Sequence, residues 1–537
     1  MEMSLRSIRW TAGVAVLALA LAGCTGGGGG GQAASGKDIS VYICEPQSLI
    51  PQNATEVCGA EVLAALFEPL VNYNAKSSKM EMTGVAKSID STDEKTWTIK
   101  LKDGYKFSNG EPVDAASFAR GWNAGAYGPN AYQGASFFER FQGYDDMQVP
   151  KGAKPGTKPK ASQLSGLKVI DPLTLQVTLS APFSQFPVEL GYTAFYPLPR
   201  AYESDPKKFN EAPIGNGAFR MNGTWKHNEQ IATTRNDAFP GGKAKVGGVA
   251  FKIYSNINTA YNDLLAGNLD IMDALPPERV ADARGQLGDR FIEAPSSQFN
   301  YLGFPMYDKR FGNPDVRKAF SMAIDRDAII KAIFNGAYTP AASLVTPMFG
   351  NSGNPCGETC TFNPAKAKQL LAQAGGFTGT LDMWFNSGAG HDKWVEAVAN
   401  QLRQNLGITD VRFHSLDFAQ YLGKLEADQI TGPFRLGWVA DYPSSQDYLQ
   451  PLYATGASSN FFEYSNKKVD ALLAEGDRAP SVEAGQTKYN EAEQQILADF
   501  PNIPLWFQKI QGARSDRVQN VQIDVFTRIH LADVTVK

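Results

Sequence analysis

The residues before Cys24 place its thiol for covalent modification. Two arginines lie within the first nine residues, the apolar run 12–21 follows, and small residues stand directly before the cysteine. This order is typical of a cleaved export signal, and the run is too short to span a bilayer comfortably. The segment Leu21-Ala22-Gly23-Cys24 resembles the lipobox, at which the chain is cut and the cysteine is acylated. We therefore predict a signal peptide over 1–23 and a lipid anchor at Cys24; a plain signal peptide with a chance cysteine is the alternative.

Four further cysteines form two close pairs in the sequence, Cys44 with Cys58 and Cys356 with Cys360. An even number of cysteines in an exported chain favours disulfides. The first bridge would close a loop of roughly 15 residues and contribute about 3 kcal/mol in the chain-entropy model. A metal site is the alternative, but none of the four histidines lies near these cysteines in the sequence. We predict two disulfides and no metal.

The composition excludes several classes of protein. A formal net charge of −4 over 537 residues, without a basic run, gives no reason to expect a nucleic-acid partner. The sequence contains no Gly-x-Ser-x-Gly elbow, no His-Glu-x-x-His motif and no intact phosphate-binding loop. Asp145 and Asp146 are adjacent acids on a polar stretch, where solvation is their ordinary role. We therefore expect a binding protein without a cofactor, and a hydrolase is the competing class.

The elements that must position any site alternate between strands and helices. Residues 24–37 include the glycine run 26–31 and should form a flexible tether. About 500 residues remain, enough for two or three packed units. Hydrophobic alternation predicts a hairpin in which the strand from Trp97 turns at Asp103-Gly104 and pairs with a strand that holds Tyr105 and Phe107. It also predicts a pair of strands that turn at Asp171-Pro172. Apolar periodicity and capping residues predict helices after Asp114, Asn313, Asp325 and Asn363, over Trp394 to Leu406, and over Tyr489 to Phe500. The interleaving indicates an α/β fold without an internal repeat.

Several of these segments occur in the order found in family 5 extracellular solute-binding proteins, the peptide- and nickel-binding receptors of ABC importers. The matching segments are 66–70, 97–113, 214–219, 264–270, 524–537 and, as the most specific one, 315–326. The resemblance covers nearly all of the mature chain. It implies a two-lobed fold like that of the periplasmic binding proteins (type II, cluster C), with three domains and a hinge.

The resemblance also implies domain boundaries. A discontinuous domain I would comprise 38–67, 201–297 and 510–537, and the inserted domain II would comprise 68–200. Domain III, the opposing lobe, would comprise 298–509. The chain would cross between the lobes near Ser297 and near Lys509, and these crossings would form the hinge.

Asp441 is the first candidate for ligand binding. It follows a short apolar strand that ends in Trp438, and strand ends are where loops and ligands meet. In the oligopeptide receptors the matching aspartate receives the α-ammonium of the peptide, and the matching tryptophan lies beside it. A surface aspartate that caps a turn before Pro443 is the alternative for Asp441, and a core tryptophan is the alternative for Trp438.

The resemblance implies four further ligand contacts. Arg435 and His391 match residues that can meet the carboxylate of the peptide, and either can instead be an ordinary surface group. Glu56 and Val57 fall where the receptors pair their main chain with the peptide backbone, which gives affinity independent of side chains. One departure from the enteric receptors is clear: Val439 replaces a cysteine, and Ser297 stands near the position of that cysteine's partner.

We therefore expect a monomeric substrate-binding lipoprotein that captures oligopeptides and delivers them to a permease and its ATPase. It would be held on the outer face of the cell membrane. The Trp-x-x-Asp pattern favours peptides over sugars, and the scattering of the four histidines argues against a dedicated metal site. Dipeptides, nickel complexes, sugars and opines remain alternative ligands, and a signalling or adhesion lipoprotein on the same fold is a further alternative.

Overall fold

The computed structural model describes residues 38–537 except 75, 76, 78, 151, 155, 351, 352, 388, 389, 417 and 458. The predicted signal peptide 1–23, the anchor Cys24 and the tether 24–37 lie outside the described residues. In the part of the chain that is described, no helix is both long and apolar enough to cross a membrane.

The strands belong to four sheets. Their bounds are β1 Ile39–Ile43, β2 Asn72–Asn74, β3 Lys79–Glu81, β4 Ala86–Ser91, β5 Thr96–Leu101, β6 Leu167–Asp171, β7 Thr174–Thr178, β8 Phe219–Met221, β9 Gln230–Arg235, β10 Val249–Ile253, β11 Ile271–Met272, β12 Phe291–Gly303, β13 Tyr338–Pro340, β14 Leu381–Asn386, β15 Val411–Leu416, β16 Phe434–Trp438, β17 Asn502–Arg514, β18 Val518–Gln519 and β19 Thr535–Val536.

The α-helices are concentrated in the second half of the chain. Their bounds are α1 Val57–Leu66, α2 Ala115–Ala126, α3 Phe186–Glu189, α4 Arg200–Ser204, α5 Pro206–Glu211, α6 Ile257–Leu265, α7 Val280–Leu287, α8 Pro314–Met322, α9 Arg326–Ile333, α10 Pro364–Gln373, α11 His391–Leu406, α12 Phe418–Glu426, α13 Gln446–Tyr453, α14 Lys467–Asp477 and α15 Val482–Asp499.

Two long antiparallel strands join the halves of the largest sheet. Its order is β15-β14-β16-β12-β17-β11-β1-β10-β9-β8, and β13 adds to β17 at the side. β12 pairs with β16 and β17 through Phe299–Gly303, and its first residues pair with the far end of β17. The register of the β12–β17 pairing shifts between Pro295 and Phe299. This irregularity lies at Ser297, beside one of the two predicted hinge crossings.

Two large hydrophobic cores define the two lobes of the α/β fold. The first core combines β1, β10 and α1 with the four-stranded sheet β4-β5-β7-β6 and with helix α2. The second core gathers β14, β16, the upper part of β12 and most of the helices from α8 to α15. A small third core holds α6 and α7. The described residues from 38 to 537 pack as one unit, so the boundaries drawn for the three domains stay a prediction.

The lobes touch each other away from β12 and β17. Arg140 of the first lobe forms a salt bridge with Asp477 of the second at 3.1 Å. The Ser444 hydroxyl donates to the side-chain oxygen of Gln185 at 2.9 Å, and the main-chain N–H of Ser184 donates to the carbonyl of Asp477 at 2.7 Å. These contacts join the lobes at a second place, apart from the long strands.

Most of the predicted elements are present. Four of the predicted helices begin at the expected caps, because Asp114, Asn313, Asp325 and Asn363 each accept a main-chain N–H in the first turn. The helices predicted from Trp394 and from Tyr489 begin earlier, at His391 and at Val482. The predicted hairpin across Asp103-Gly104 is wrong. β5 is already paired on both edges, with β4 and β7, and has no edge left for a strand at Tyr105. The segment Tyr105–Val113 instead turns back on itself at Asn109-Gly110, where the φ of +89° at Gly110 suits glycine.

Candidate ligand-binding site

Asp441 and Trp438 meet at one buried carboxylate. β16 ends at Trp438, and Asp447 lies in the first turn of α13, where the helix dipole favours a negative charge. The main-chain N–H of Asp441 donates to Asp447 Oδ2 at 2.9 Å, and the Trp438 indole N–H donates to the same oxygen at 3.3 Å. Asp447 therefore holds the loop that follows β16 and fixes the orientation of the tryptophan.

The carboxylate of Asp441 faces the other lobe. The hydroxyl of Tyr192 and the guanidinium of Arg528 both act to lower its pKa, but burial outweighs them and raises the pKa of Asp441 to about 6. Burial and the neighbouring charge of Asp441 raise the pKa of Asp447 well above its usual range. Arg528 also faces Asp524 and Glu61. This end of the site, which we call the acidic end, thus brings together more carboxyl groups than its arginine can balance.

At the start of β16, a cation lacks an anionic partner. The guanidinium of Arg435 donates to the side-chain oxygens of Asn386 and Asn300, each at 3.2 Å, and its Nε has no partner. No carboxylate among the described residues forms an ion pair with it. Burial accordingly lowers the pKa of Arg435. Arg435 is half-buried and its Nε is buried, and a partly desolvated cation without an anionic partner is costly, so an incoming carboxylate would relieve that cost.

His391 lies beside this cation. It is the first residue of α11, and its Nδ1 accepts a hydrogen bond from the Trp394 indole at 3.1 Å. Burial and the charge of Arg435 lower the pKa of His391 to about 3, so the imidazole is neutral at physiological pH. Arg435 and His391 together form what we call the basic end of the site.

Val57 and Glu56 lie on the first lobe, and the structure separates their roles. The Glu56 carboxylate accepts the N–H groups of Cys58 at 2.7 Å and Gly59 at 2.9 Å, so it caps helix α1 and is not free for a ligand. Val57 is 47% exposed and lines a cavity of about 230 Å³ between the lobes, opposite Tyr338 of the second lobe. Asp441, Trp438, Arg435 and His391 do not line this cavity.

Both predicted disulfides are present, Cys44–Cys58 and Cys356–Cys360. The first joins the end of β1 to the start of α1 and so fixes the segment that carries Val57. In the described part of the chain, one group of three potential metal ligands comes together, Cys44, Glu56 and Cys58. Because both thiols are bridged and the carboxylate caps a helix, this group has no free donors for a metal.

Ser297 forms hydrogen bonds near the position where the enteric receptors have a disulfide. Its hydroxyl accepts the main-chain N–H of Ala440 at 3.2 Å, and its carbonyl accepts the Tyr448 hydroxyl. Val439 points away and is 41% exposed. The loop between β16 and Asp441 is therefore tied to β12 without the disulfide of the enteric receptors.

Asp447, Tyr192 and Arg528 contribute to the site but were not identified as site residues from the sequence. Asp447 is separated from Asp441 by a turn of polar residues and carries no periodic signal of its own. Tyr192 and Arg528 come from distant parts of the chain and reach Asp441 only because the lobes meet. The pairing of an acid with residues of the opposite lobe is a property of the closed tertiary structure.

The comparisons with known proteins agree on one family. The family model described as bacterial extracellular solute-binding proteins, family 5 middle, matches residues 82–460. The chain is 26% identical to the dipeptide-binding protein DppE of Bacillus subtilis, covering 95% of this chain and 96% of that protein. It is 27% identical to the periplasmic murein peptide-binding protein MppA of Escherichia coli, covering 86% of each.

Solved structures show the same fold. An unliganded open form of MppA superposes with a TM-score of 0.77 at 24% identity and covers 94% of this chain and 98% of that one. The substrate-binding protein CtaP of Listeria monocytogenes gives a TM-score of 0.79 at 21% identity, with 94% and 100% covered. At these identities the likeness concerns the fold alone. The family match spans most of the chain, and the chain therefore belongs to family 5 of the bacterial extracellular solute-binding proteins.

Proposed function

We propose that this protein is the substrate-binding lipoprotein of an ABC importer and that it captures oligopeptides between its two lobes. The observation that carries the proposal is the opposite charge left unbalanced at the two ends of β16. Asp441 lies with Asp447 in an acid-rich region, and Arg435 lies half-buried, with a buried Nε and no carboxylate partner. A peptide with free termini offers an ammonium group for the first and a carboxylate for the second.

Three further features support a peptide over other solutes. Trp438 lies next to the anchor and presents an aromatic ring that can stack on a ligand. Val57 lies at the first-lobe wall of the cavity, where main-chain pairing would hold peptides of many sequences. Relatives bear names that refer to dipeptides, murein peptides and oligopeptides.

The alternatives make different demands on the site. A nickel complex, a sugar or an opine would each use a different set of donors, and a dipeptide would use the two charged ends at a shorter separation. A signalling lipoprotein would bind a solute without delivering it to a permease. Among these, a dipeptide shares the most features with the proposed ligand.

The proposal extends to the location and the organisation of the protein. A lipid on Cys24 would hold it on the outer face of the cell membrane, and its partners would be the permease and ATPase subunits. Domains I (38–67, 201–297, 510–537), II (68–200) and III (298–509) would close as two lobes about Ser297 and Lys509. Cys24→Ala should release the protein from membranes or leave it unprocessed. A membrane-bound variant of mature length would show that the anchor lies elsewhere.

Mass spectrometry of the ligands that copurify with the protein tests the proposal directly. We expect short peptides of mixed sequence, because main-chain and terminal contacts do not select side chains. Small-angle scattering should then show a smaller radius of gyration with bound peptide than after its removal, since a ligand that contacts both lobes favours the closed state. A copurified sugar or metal complex, or no response to any peptide, would contradict the proposal.

A further inference from the structure

The cavity of about 230 Å³ is built by both lobes and carries a feature that terminal recognition does not use. Val57, Asp273 and Ser296 line it from the first lobe, Tyr338 lines it from the second, and Gln511 lies in its wall on β17. Its volume is below the range of about 300 to 1,000 Å³ that is usual for a whole drug-sized ligand. The cavity therefore suits one side chain of a ligand and not the ligand as a whole.

Asp273 places an uncompensated carboxylate in this cavity. It follows β11 directly and is half-buried, and the main-chain N–H groups of Asp273 and Ala274 face its oxygens. No cation among the described residues forms an ion pair with it. Burial raises the pKa of Asp273 to about 6, and its charge in turn helps to raise the pKa of the buried Glu61 behind it. This wall of the cavity is thus negative at neutral pH.

The other polar groups of the cavity do not neutralise that charge. The Lys509 ammonium is engaged by Glu293 at 3.4 Å. The Gln511 side-chain N–H₂ group is buried and has no hydrogen-bond acceptor. A buried donor without a partner is costly, and a carbonyl or water brought in with a ligand would satisfy it.

The cavity is also close to the proposed anchor. Thr527 lines the cavity and directly precedes Arg528, the arginine that faces Asp441. Ser296 lines it too and precedes Ser297, whose hydroxyl is bonded to Ala440 next to Asp441. A side chain near the amino end of a bound peptide would therefore reach this space.

We infer that this cavity is a subsite for one basic side chain of the ligand, lysine or arginine, with Asp273 as its counter-ion. The inference rests on the proposed binding of peptides and adds a preference to it. An ion pair in a closed and poorly hydrated cavity is stronger than the same pair in water, because the surrounding dielectric is low. The protein would then bind peptides of many sequences but favour those with a basic residue at one position.

Calorimetry with a small set of tripeptides tests this inference. The set is trialanine and its variants with lysine, or with norleucine, at the first, second or third position. Norleucine keeps most of the lysine side chain and lacks the charge. At one position, lysine should bind the wild-type protein about 10-fold more tightly than norleucine. In Asp273→Asn this ratio should fall toward one. In the control Asp516→Asn, which removes an exposed carboxylate, the ratio should be kept.

The possible outcomes distinguish failure of the subsite from failure of the proposed function. Equal binding of lysine and norleucine at all three positions, with trialanine bound, would overturn the subsite and leave the proposed function standing. A lysine preference that survives in Asp273→Asn would also overturn it. If no peptide binds, trialanine included, the proposed function fails and the subsite fails with it. The wild-type comparison needs no variant, so a misfolded Asp273→Asn would not block the test.

Discussion

The acidic and basic ends of the site flank one short strand, β16, yet burial has opposite effects on them. At the acidic end, burial raises the pKa of Asp441 to about 6, since the charged form of an acid is disfavoured. At the basic end, burial lowers the pKa of Arg435 and lowers that of His391 to about 3. Both ends therefore hold charge at a cost to stability, which is typical of residues retained for binding.

The two ends differ in whether the protein itself supplies a group of opposite charge when no ligand is bound. Arg528, provided by the C-terminal segment, partly balances Asp441 from the first lobe. Arg435 has only amide oxygens as partners and no carboxylate. The charge of Asp441 is thus partly balanced when the lobes meet, whereas the charge of Arg435 would be balanced only by an anion of the ligand.

The largest expected effect is on the stability of the unliganded protein at the acidic end. The folded-state pKa of Asp441 lies above its unfolded value of 3.8, so stability is lost as the pH rises from about 4 to above 6. Asp441→Asn removes this loss and should gain up to about 3 kcal/mol relative to wild type between pH 4 and pH 8. Denaturant unfolding at both pH values measures it. A difference between variant and wild type that does not change with pH would show that the carboxylate is not strained by burial.

The basic end should respond to pH in the opposite direction. The folded-state pKa of His391 lies below its unfolded value of 6.5, so its contribution costs stability as the pH falls below 6.5 toward 3. His391→Gln stays neutral and should gain about 2 kcal/mol over wild type at pH 5, and none from this source at pH 8. The same unfolding experiments measure it. Equal effects at the two pH values would mean that the imidazole is not kept neutral by its surroundings.

A smaller effect is expected on affinity at the basic end. Arg435→Met removes the unpaired cation and should weaken a peptide with a free carboxyl end by about 10-fold, while an amidated peptide should lose little. Arg412→Met, at an exposed arginine on β15, is the matched control and should change neither affinity. Calorimetry with the two peptides measures this. If the free and the amidated peptide lose affinity equally, Arg435 supports the fold and does not meet the carboxylate.

Much of the fold could be predicted from the sequence because its signals are local. The caps at Asp114, Asn313, Asp325 and Asn363 mark helix starts, and each of these side chains accepts a main-chain N–H as expected. The hairpin at Trp97 was wrong because strand pairing is not local. β5 takes both of its partners from other parts of the chain, and the alternation of its residues cannot identify them.

The site was predictable in part for the same reason. Asp441 and Trp438 stand at a strand end that the sequence displays, and Arg435 precedes them on that strand. Tyr192 and Arg528 reach the acidic end from residues more than 80 positions away, through contact of the two lobes. Glu56 was assigned a main-chain contact with the ligand, which stays a prediction, and the structure adds that its carboxylate caps α1.

The central claim is that Asp441 anchors the ammonium group of a peptide, and calorimetry on four combinations tests it most directly. Wild type and Asp441→Asn are each titrated with one peptide in its free and its amino-acetylated form. A charge-assisted bond in a closed cleft is worth about 1.5 to 3 kcal/mol, so the variant should bind the free peptide about 10- to 100-fold more weakly. The acetylated peptide should bind wild type poorly and lose little more on mutation, because the partner charge is already absent. Equal losses for the free and the acetylated peptide would contradict the account and remove Asp441 from the site.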